Sequence, residues 1–418
     1  MSATRRSANA RLDVADRHEL VRRANIEMVF RAISEKAPVN RVELVRSTGL
    51  SKPTVLSVVA ALQEEGLVRE TTMAAPRSTA GRIPVAYEAN PQAAYVVGVD
   101  LGGTKTAVAL ADLSGVLLAK SEEVTTREGG PAVVQQISRL ARDVAAQAGV
   151  PWRSVDAVTV GTPGVENRDG TIRMAENVPG LDSVKVAAAL RRSLRTDVRL
   201  ENDVNLATLG EFEQGVARTC STFVLLAIGT GLGMGLVVDG RLLHGSRGGA
   251  GEIAYLPLGA DPAGPEARRR GAFEVAASGS GVHDILRAEW RGARGRAGTA
   301  LRQTSTAREV YAAAALGDAL GIRVVDRHAA IVAQAVLAVA SVIDPELVVM
   351  GGGIGANPVL LQPLRDAVER ICPWPLRVET SALGANAGVI GAVHHARRAL
   401  PEIESARVSA RLQTGDPR

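Results

Sequence analysis

One local pattern occurs twice in this chain of 418 residues, and it restricts the fold more than any other feature. The first copy is an apolar run, Tyr95-Val-Val-Gly-Val99, then a turn, Asp100-Leu-Gly-Gly-Thr-Lys105, then a second apolar run, Thr106-Ala-Val-Ala-Leu-Ala111. The second copy is Val224-Leu-Leu-Ala-Ile-Gly-Thr-Gly-Leu-Gly-Met-Gly235. Each copy continues with a polar step and a further apolar run: Asp112-Leu-Ser-Gly115 with Val116-Leu-Leu118, and Asp239-Gly240 with Arg241-Leu-Leu243. One Gly turn alone reads most simply as a tight hairpin, because Gly supplies turn geometry. Two copies read as an internal duplication. Two such halves facing each other make an α/β structure with a cleft and a phosphate-binding loop on each wall. Turn N–H groups can surround a phosphate, and an acid such as Asp100 can hold a metal or a water.

Hydrophobic residues make up 46% of the chain and aromatics only 3%, so its core must be built from Ala, Val, Leu and Ile. The length suits one small and one large domain, or three lobes. Two cysteines, Cys220 and Cys372, are too few for a disulfide framework or a Cys-rich metal site. The start shows no secretory pattern, and the apolar stretch Ala329–Ile343 reads as a buried helix too short to span a bilayer comfortably. A cytoplasmic protein with no membrane partner is expected. The net charge is +5. Residues 1–90 carry 14 Lys/Arg against 10 Asp/Glu, so most of the excess is N-terminal.

That N-terminal segment has a layout of its own. Ile26, Val29, Phe30 and Ile33 form one helical stripe, and Val55, Val58, Val59 and Leu62 another. Between them Val42, Leu44 and Val45 mark a short helix stopped by Gly49, and Ser51 is placed to cap the third helix with Pro53 in its first turn. Gly66 ends that helix. Leu67–Thr71 and Ile83–Tyr87 pair as a hairpin with Arg77 and Arg82 in its loop. This predicts a winged helix-turn-helix over residues 15–90. The residues expected on double-stranded DNA are Arg41, Ser51, Lys52, Thr54 and Ser57, with Arg77 and Arg82 from the wing. A three-helix module that recruits protein is the alternative.

Further motifs follow in order. Glu201-Asn-Asp-Val-Asn205 comes after the strand-like Val198-Arg-Leu200, followed by Gly248-Gly-Ala-Gly-Glu-Ile253, Glu274 in Gly271-Ala-Phe-Glu274, and Met350-Gly-Gly-Gly-Ile354. Over residues 95–400 the ordered set resembles the ROK family (repressors, open reading frames, kinases) of the actin-like/hexokinase superfamily. With the N-terminal segment, it resembles the family's sugar-responsive regulators. The resemblance implies a ribonuclease H-like, two-lobed domain, with lobes at 95–210 and 211–400, and leaves 401–418 as a polar tail. It implies Asp203 as general base if a phosphoryl group is transferred. It implies a sugar or sugar phosphate held by Gly164, Asn177, Asn202, Asp203, Glu252 and Glu274. Phosphate or nucleotide contacts would come from Asp100, Gly102, Gly103, Thr104 and Lys105, from Gly229, Thr230, Gly231 and Gly233, and from Gly351, Gly352 and Gly353.

One departure is sharp. The family often has zinc held by a His after Gly-Glu-Ile and by a Cys cluster. Here Tyr255 takes the His position, and Asp261-Pro-Ala-Gly-Pro-Glu-Ala-Arg-Arg-Arg270 carries no thiol. No structural zinc is expected, Tyr255 is available to a sugar, and the stretch 260–270 is expected to be mobile, as is Arg291–Arg296. The histidines, His394 and His395 included, show no metal-ligand spacing. The function implied is a DNA-binding regulator, a repressor of carbohydrate genes, acting as a homodimer or dimer of dimers. No cofactor is required for that role. The alternative is a sugar kinase using ATP and Mg2+ with an accessory N-terminal domain.

Overall fold

The computed structural model describes residues 14–72, 85–167, 169–173, 178–292 and 299–414. The chain starts with α1 (Val14–Lys36), β1 (Val39–Asn40), α2 (Arg41–Thr48) and α3 (Lys52–Glu64), followed by β2 (Val68–Thr72) and β3 (Val85–Ala89). Asn40 and Glu43 cap α2 reciprocally, and Gly49 at φ +68° ends it with its N–H on the Val45 carbonyl. Ser51 caps α3 by accepting from the Thr54 N–H. The two stripes read from the sequence are buried, whereas Val42 is 78% exposed. Val42 and Leu44 are two residues apart and cannot share a helix face. The hairpin lies one to two residues later than expected, with Val68 opposite Ala89, and β1 adds a third strand alongside β3.

The first lobe contains β4 (Tyr95–Leu101), β5 (Lys105–Asp112), β6 (Leu117–Val124), α4 (Gly130–Gln147), β7 (Val155–Thr162), the small pair β8 (Val165–Glu166) and β9 (Ile172–Arg173), α5 (Val186–Leu194) and β10 (Asp197–Asn202). Then α6 (Asp203–Glu213) leads into β11 (Phe223–Ile228), β12 (Leu232–Val238) and β13 (Arg241–Leu242). The second lobe continues with α7 (Pro265–Arg270), α8 (Ala272–Ala277), α9 (Gly279–Gly292), α10 (Ala307–Ala315), α11 (Ala319–Ile343), β14 (Leu347–Gly351), α12 (Gly352–Gly355), α13 (Pro358–Ile371) and β15 (Val378–Thr380). The last element is α14 (Ala387–Thr414).

The duplication is visible in the two sheets. The first runs β10-β7-β4-β5-β6, and the second, read in the matching direction, runs β15-β14-β11-β12-β13. In both, a central strand pairs antiparallel with the strand that follows its Gly turn and parallel with the strand on its other side. The fold is α/β, with the winged helix-turn-helix ahead of two lobes of one topology.

Several expected segments differ. Residues 401–414 are not a tail: α14 continues to Thr414, with Val408 2% exposed and Ser405 fully buried, and 415–418 lie outside the described residues. A lobe boundary after residue 210 would cut α6, and α14 returns to pack on the first lobe's sheet. The 260–270 stretch contains α7, where Pro265 sits in the first turn and Glu266 pairs with Arg269 and Arg270 one turn later. The helix expected at 329–343 begins at Ala319, capped by Asp318. At 25 residues it is long and apolar enough to cross a membrane, but Val324, Val332 and Val336 lie in the second lobe's core. Of Arg291–Arg296, only 291 and 292 are described.

The α14 helix passes through the first lobe at very short range. A Cβ at Gly98 of β4 would lie 2.5 Å from the Val393 nitrogen, one at Gly210 would overlap the Ala387 carbonyl, and one at Gly391 the Leu206 carbonyl. One apolar cluster then runs from Ile26, Phe30 and Ile33 through Leu67 and Tyr87 to Val96, Val393, Leu400 and Val408. The helix-turn-helix and the first lobe therefore share a core. Gly391→Ala should destabilise the fold by about 3 kcal/mol, since backbone on both sides prevents relaxation. Gly353→Ala, with nothing within 4 Å, should be near neutral. Urea unfolding midpoints of the two variants measure the contrast.

Candidate functional site

The chemistry-bearing residues collect at the carboxyl ends of the strands, where open α/β sheets place ligands. Asp100 is near the end of β4, Asn202 ends β10, Asp203 opens α6, Gly229 follows β11 and Gly351 ends β14. Gly164 follows β7, and its carbonyl accepts from Asn202 Nδ2 at 3.3 Å. The Asn202 side-chain oxygen accepts from the Val204 and Asn205 N–H groups, so it caps α6. Most of the hydrogen-bonding capacity expected to serve a sugar is thus spent on fixing Asp203.

Asp203 and Asp100 are half-buried neighbours. Burial raises the Asp203 carboxyl to about 7, helped by the charges of Asp100 and Glu252. Burial raises Asp100 to about 6, while the nearby Lys105 ammonium opposes the rise. Near neutral pH Asp203 is thus poised between proton acceptor and donor, as general-base chemistry requires. Asp100 sits against the first turn of α14, where a Cβ at Gly388 would lie 2.5 Å from its Oδ2. A hard divalent cation suits these carboxylate oxygens. Glu252 is within electrostatic reach of Asp203.

The first turn is propped from below. Thr125 Oγ1 donates to the Gly102 carbonyl at 2.7 Å, and Thr106 Oγ1 lies 3.0 Å from Thr125 Oγ1. In this turn Gly103 is half-buried and Thr104 exposed. Lys105 is not free for phosphate: its ammonium pairs with Glu122 at 2.8 Å. In the second lobe the Gly229 carbonyl accepts from the Gly279 N–H at 3.0 Å, and Gly229 lies beside Gly353. Thr230 at this turn and Gly352 and Gly353 at the next are exposed. Gly233 has another reason to be Gly: it lies in β12, and a Cβ there would press on Val204 of α6. Gly351 similarly ends β14 against Leu225.

Two expected sugar contacts are otherwise engaged. Glu274 accepts from the Leu232 N–H at 3.0 Å and pairs with Arg270 at 2.9 Å, directly behind Gly231. It therefore braces the second turn. Tyr255, 45% exposed, donates to the Arg269 carbonyl at 3.2 Å. Asn177 lies outside the described residues. Sequence reading also missed Glu201, although it opens the same motif. Its Oε1 accepts from Asn205 Nδ2 and the Asn202 N–H, and its Oε2 meets His244 Nε2 at 2.8 Å.

On the helix-turn-helix, Ser51, Lys52 and Ser57 are exposed on α3, and Thr54 is half-buried. Ser51 Oγ is the α3 cap and lies 2.8 Å from Thr54 Oγ1. Arg41 Nε donates to the Tyr87 hydroxyl at 2.6 Å, with the guanidinium over the Tyr87 ring, so this side chain ties α2 to β3. Arg77 and Arg82 lie outside the described residues.

Residues 28–72 match the IclR helix-turn-helix domain, and residues 96–399 match the ROK family. The chain is 31% identical to the glucokinase of Thermotoga maritima over 309 residues, 71% of this chain and 95% of that protein. It is 27% identical to the xylose repressor of Bacillus subtilis over 271 residues, 64% of this chain and 68% of that protein. A crystal structure of a ROK family transcriptional regulator, homologous to the E. coli Mlc protein, superposes with a TM-score of 0.74 at 22% identity. It covers 93% of this chain and 99% of that one, so the likeness of fold includes the N-terminal unit. From the two matching Gly turns to the acid between them, the chain belongs to the ROK family.

Proposed function

We propose that this protein is a DNA-binding transcriptional regulator whose affinity for DNA is set by a sugar bound between its two lobes. The observation that carries the reading is the α14 helix. Its first turn backs Asp100, and its last turns lie in the helix-turn-helix core, where Arg411 pairs with Glu65 just beyond α3. A sugar that favours one lobe arrangement has a physical route to the DNA-binding unit, and it shifts DNA affinity to the extent that it prefers that arrangement. Asp203 and Glu252, with the remaining Asn202 amide proton, are assigned to sugar hydroxyls. Ser51, Lys52, Thr54 and Ser57 are assigned to DNA. A two-fold dimer reading a near-palindromic site is the matching geometry, and relief of repression of carbohydrate genes is the assigned mode. The xylose repressor among its relatives supports that assignment.

The raised Asp203 carboxyl supports a second reading, an ATP-dependent sugar kinase. There the exposed Gly352 and Gly353 and the Gly229 turn would take ATP phosphates, and Asp100 would hold Mg2+, which supplies charge neutralisation when bound. In this chain's own residues the step is proton transfer: a sugar hydroxyl gives its proton to an Asp203 oxygen, and Asn202 holds that residue in place.

Selection of genomic DNA by the purified protein, with and without D-glucose, D-xylose and N-acetyl-D-glucosamine, tests the regulator. Specific fragments released by one sugar are expected. Fragments bound equally with every sugar would contradict sugar control. Lys52→Ala should weaken binding to all fragments alike and lower the salt slope by about one, as loss of a phosphate contact does. ATP turnover on the same sugars, abolished in Asp203→Asn, would favour the kinase.

The acid pair also makes a stability prediction. Asp203 ionises near 7 and Asp100 near 6 when folded, against 3.8 for an ordinary Asp. The folded chain therefore holds more protons than the unfolded chain in this window, and the two groups lower stability as pH rises from about 4 to about 7. Asp203→Asn removes the larger share. It should be more stable than the unaltered protein at pH 8 and similar to it at pH 4, by urea unfolding.

A further inference from the structure

We infer that His244 is a positioning residue for the sugar site: it clasps the loop that carries Glu252 to the strand end that carries Asp203. The inference rests on the sugar-binding reading of the cleft given above.

The two partners come from opposite lobes. Glu201 lies in β10 of the first lobe, two residues before Asp203, and His244 follows β13 of the second. The Glu201 carboxylate is only 10% exposed, and each of its oxygens has a separate task. Oε1 accepts from Asn205 Nδ2 at 2.9 Å and from the Asn202 N–H at 2.9 Å, which fixes the turn into α6. Oε2 meets His244 Nε2 at 2.8 Å. His395 of α14 stands behind, its Nε2 3.8 Å from the same oxygen and its Nδ1 3.0 Å from Thr159 Oγ1.

On the other side, His244 is the root of a closed loop. Its carbonyl accepts from the Ala250 N–H at 3.1 Å, and Gly245 at φ +73° allows the chain to turn against Ala250. Gly251, at φ +90°, presses so closely on the Met234 carbonyl of β12 that no side chain fits. Glu252 follows immediately, within electrostatic reach of Asp203. One carboxylate thus fixes both assigned sugar acids: Asp203 through the α6 turn, and Glu252 through His244 and the loop. A half-exposed imidazole is an ordinary surface feature by itself. Here it meets a buried carboxylate from the other lobe, and such a charge-assisted bond orders both partners. The hydrogen bond to Glu201 also raises the His244 imidazole above its usual range, opposed by burial and helped by the Glu201 charge.

The test is calorimetric titration of the full chain with D-glucose, D-xylose and N-acetyl-D-glucosamine. His244→Ala should weaken binding of whichever sugar the unaltered protein takes by about tenfold, the scale of a lost hydrogen bond to a charged group. His244→Gln, which keeps a donor, should recover affinity to within about threefold. In a Glu252→Gln background His244→Ala should cost almost nothing further, because it acts through Glu252. Unchanged sugar affinity in His244→Ala, or losses that simply add in the double variant, would overturn the clasp while leaving the sugar site standing. No binding of any of the three sugars by the unaltered protein would overturn the clasp together with the sugar reading beneath it.

Discussion

The structure depends on how closely α14 approaches the first lobe. Glycines at 98, 210 and 391 let this helix lie directly on the backbone of β4 and α6, and Gly388 lets its first turn come up against Asp100. Backbone-to-backbone packing of this kind leaves no compressible side chain between elements, so a shift of one must be followed by the others. Asp100, the strand that carries it and the helix that continues to the DNA-binding unit therefore move as neighbours. The shared core at Tyr87, Val393 and Val408 extends this coupling to the helix-turn-helix.

Electrostatics in the cleft follow from the same packing. Asp100 and Asp203 are placed by strand ends with little access to water, and their burial raises both carboxyls. Such a pair is costly to an empty protein and favourable to one that holds hydroxyl donors or a cation. This is the physical sense in which the cleft is prepared for a ligand. The surroundings are correspondingly stiff: Asn202 caps α6, Thr125 props the first turn, and the Arg270–Glu274 pair braces the second.

Much of this was legible in the sequence. The two Gly turns with their flanking apolar runs specify hairpins, and the hairpins are the centres of two sheets with one topology. Helix stripes such as Ile26, Val29, Phe30 and Ile33 report burial because a helix repeats every three to four residues. Gly49 and Ser51 announce the end of α2 and the start of α3 through cap chemistry. Other features depend on partners distant in sequence. Pro401 and the polar residues after it suggest a tail, yet Ile403 and Val408 find apolar neighbours 300 or more residues earlier. Glu274 and Arg41 carry the right chemistry for ligands but spend it on Leu232 and Tyr87. No local pattern separates a carboxylate that binds a sugar from one that braces a loop.

Sugar and DNA are proposed to bind to coupled sites, and coupling between two ligands is reciprocal. The most direct measurement is therefore the affinity for the releasing sugar, by calorimetry, in the free protein and in the protein saturated with its selected DNA fragment. Weaker sugar binding is expected in the presence of DNA, by the same factor by which the sugar weakens DNA binding. Equal sugar affinity in the two states would contradict it.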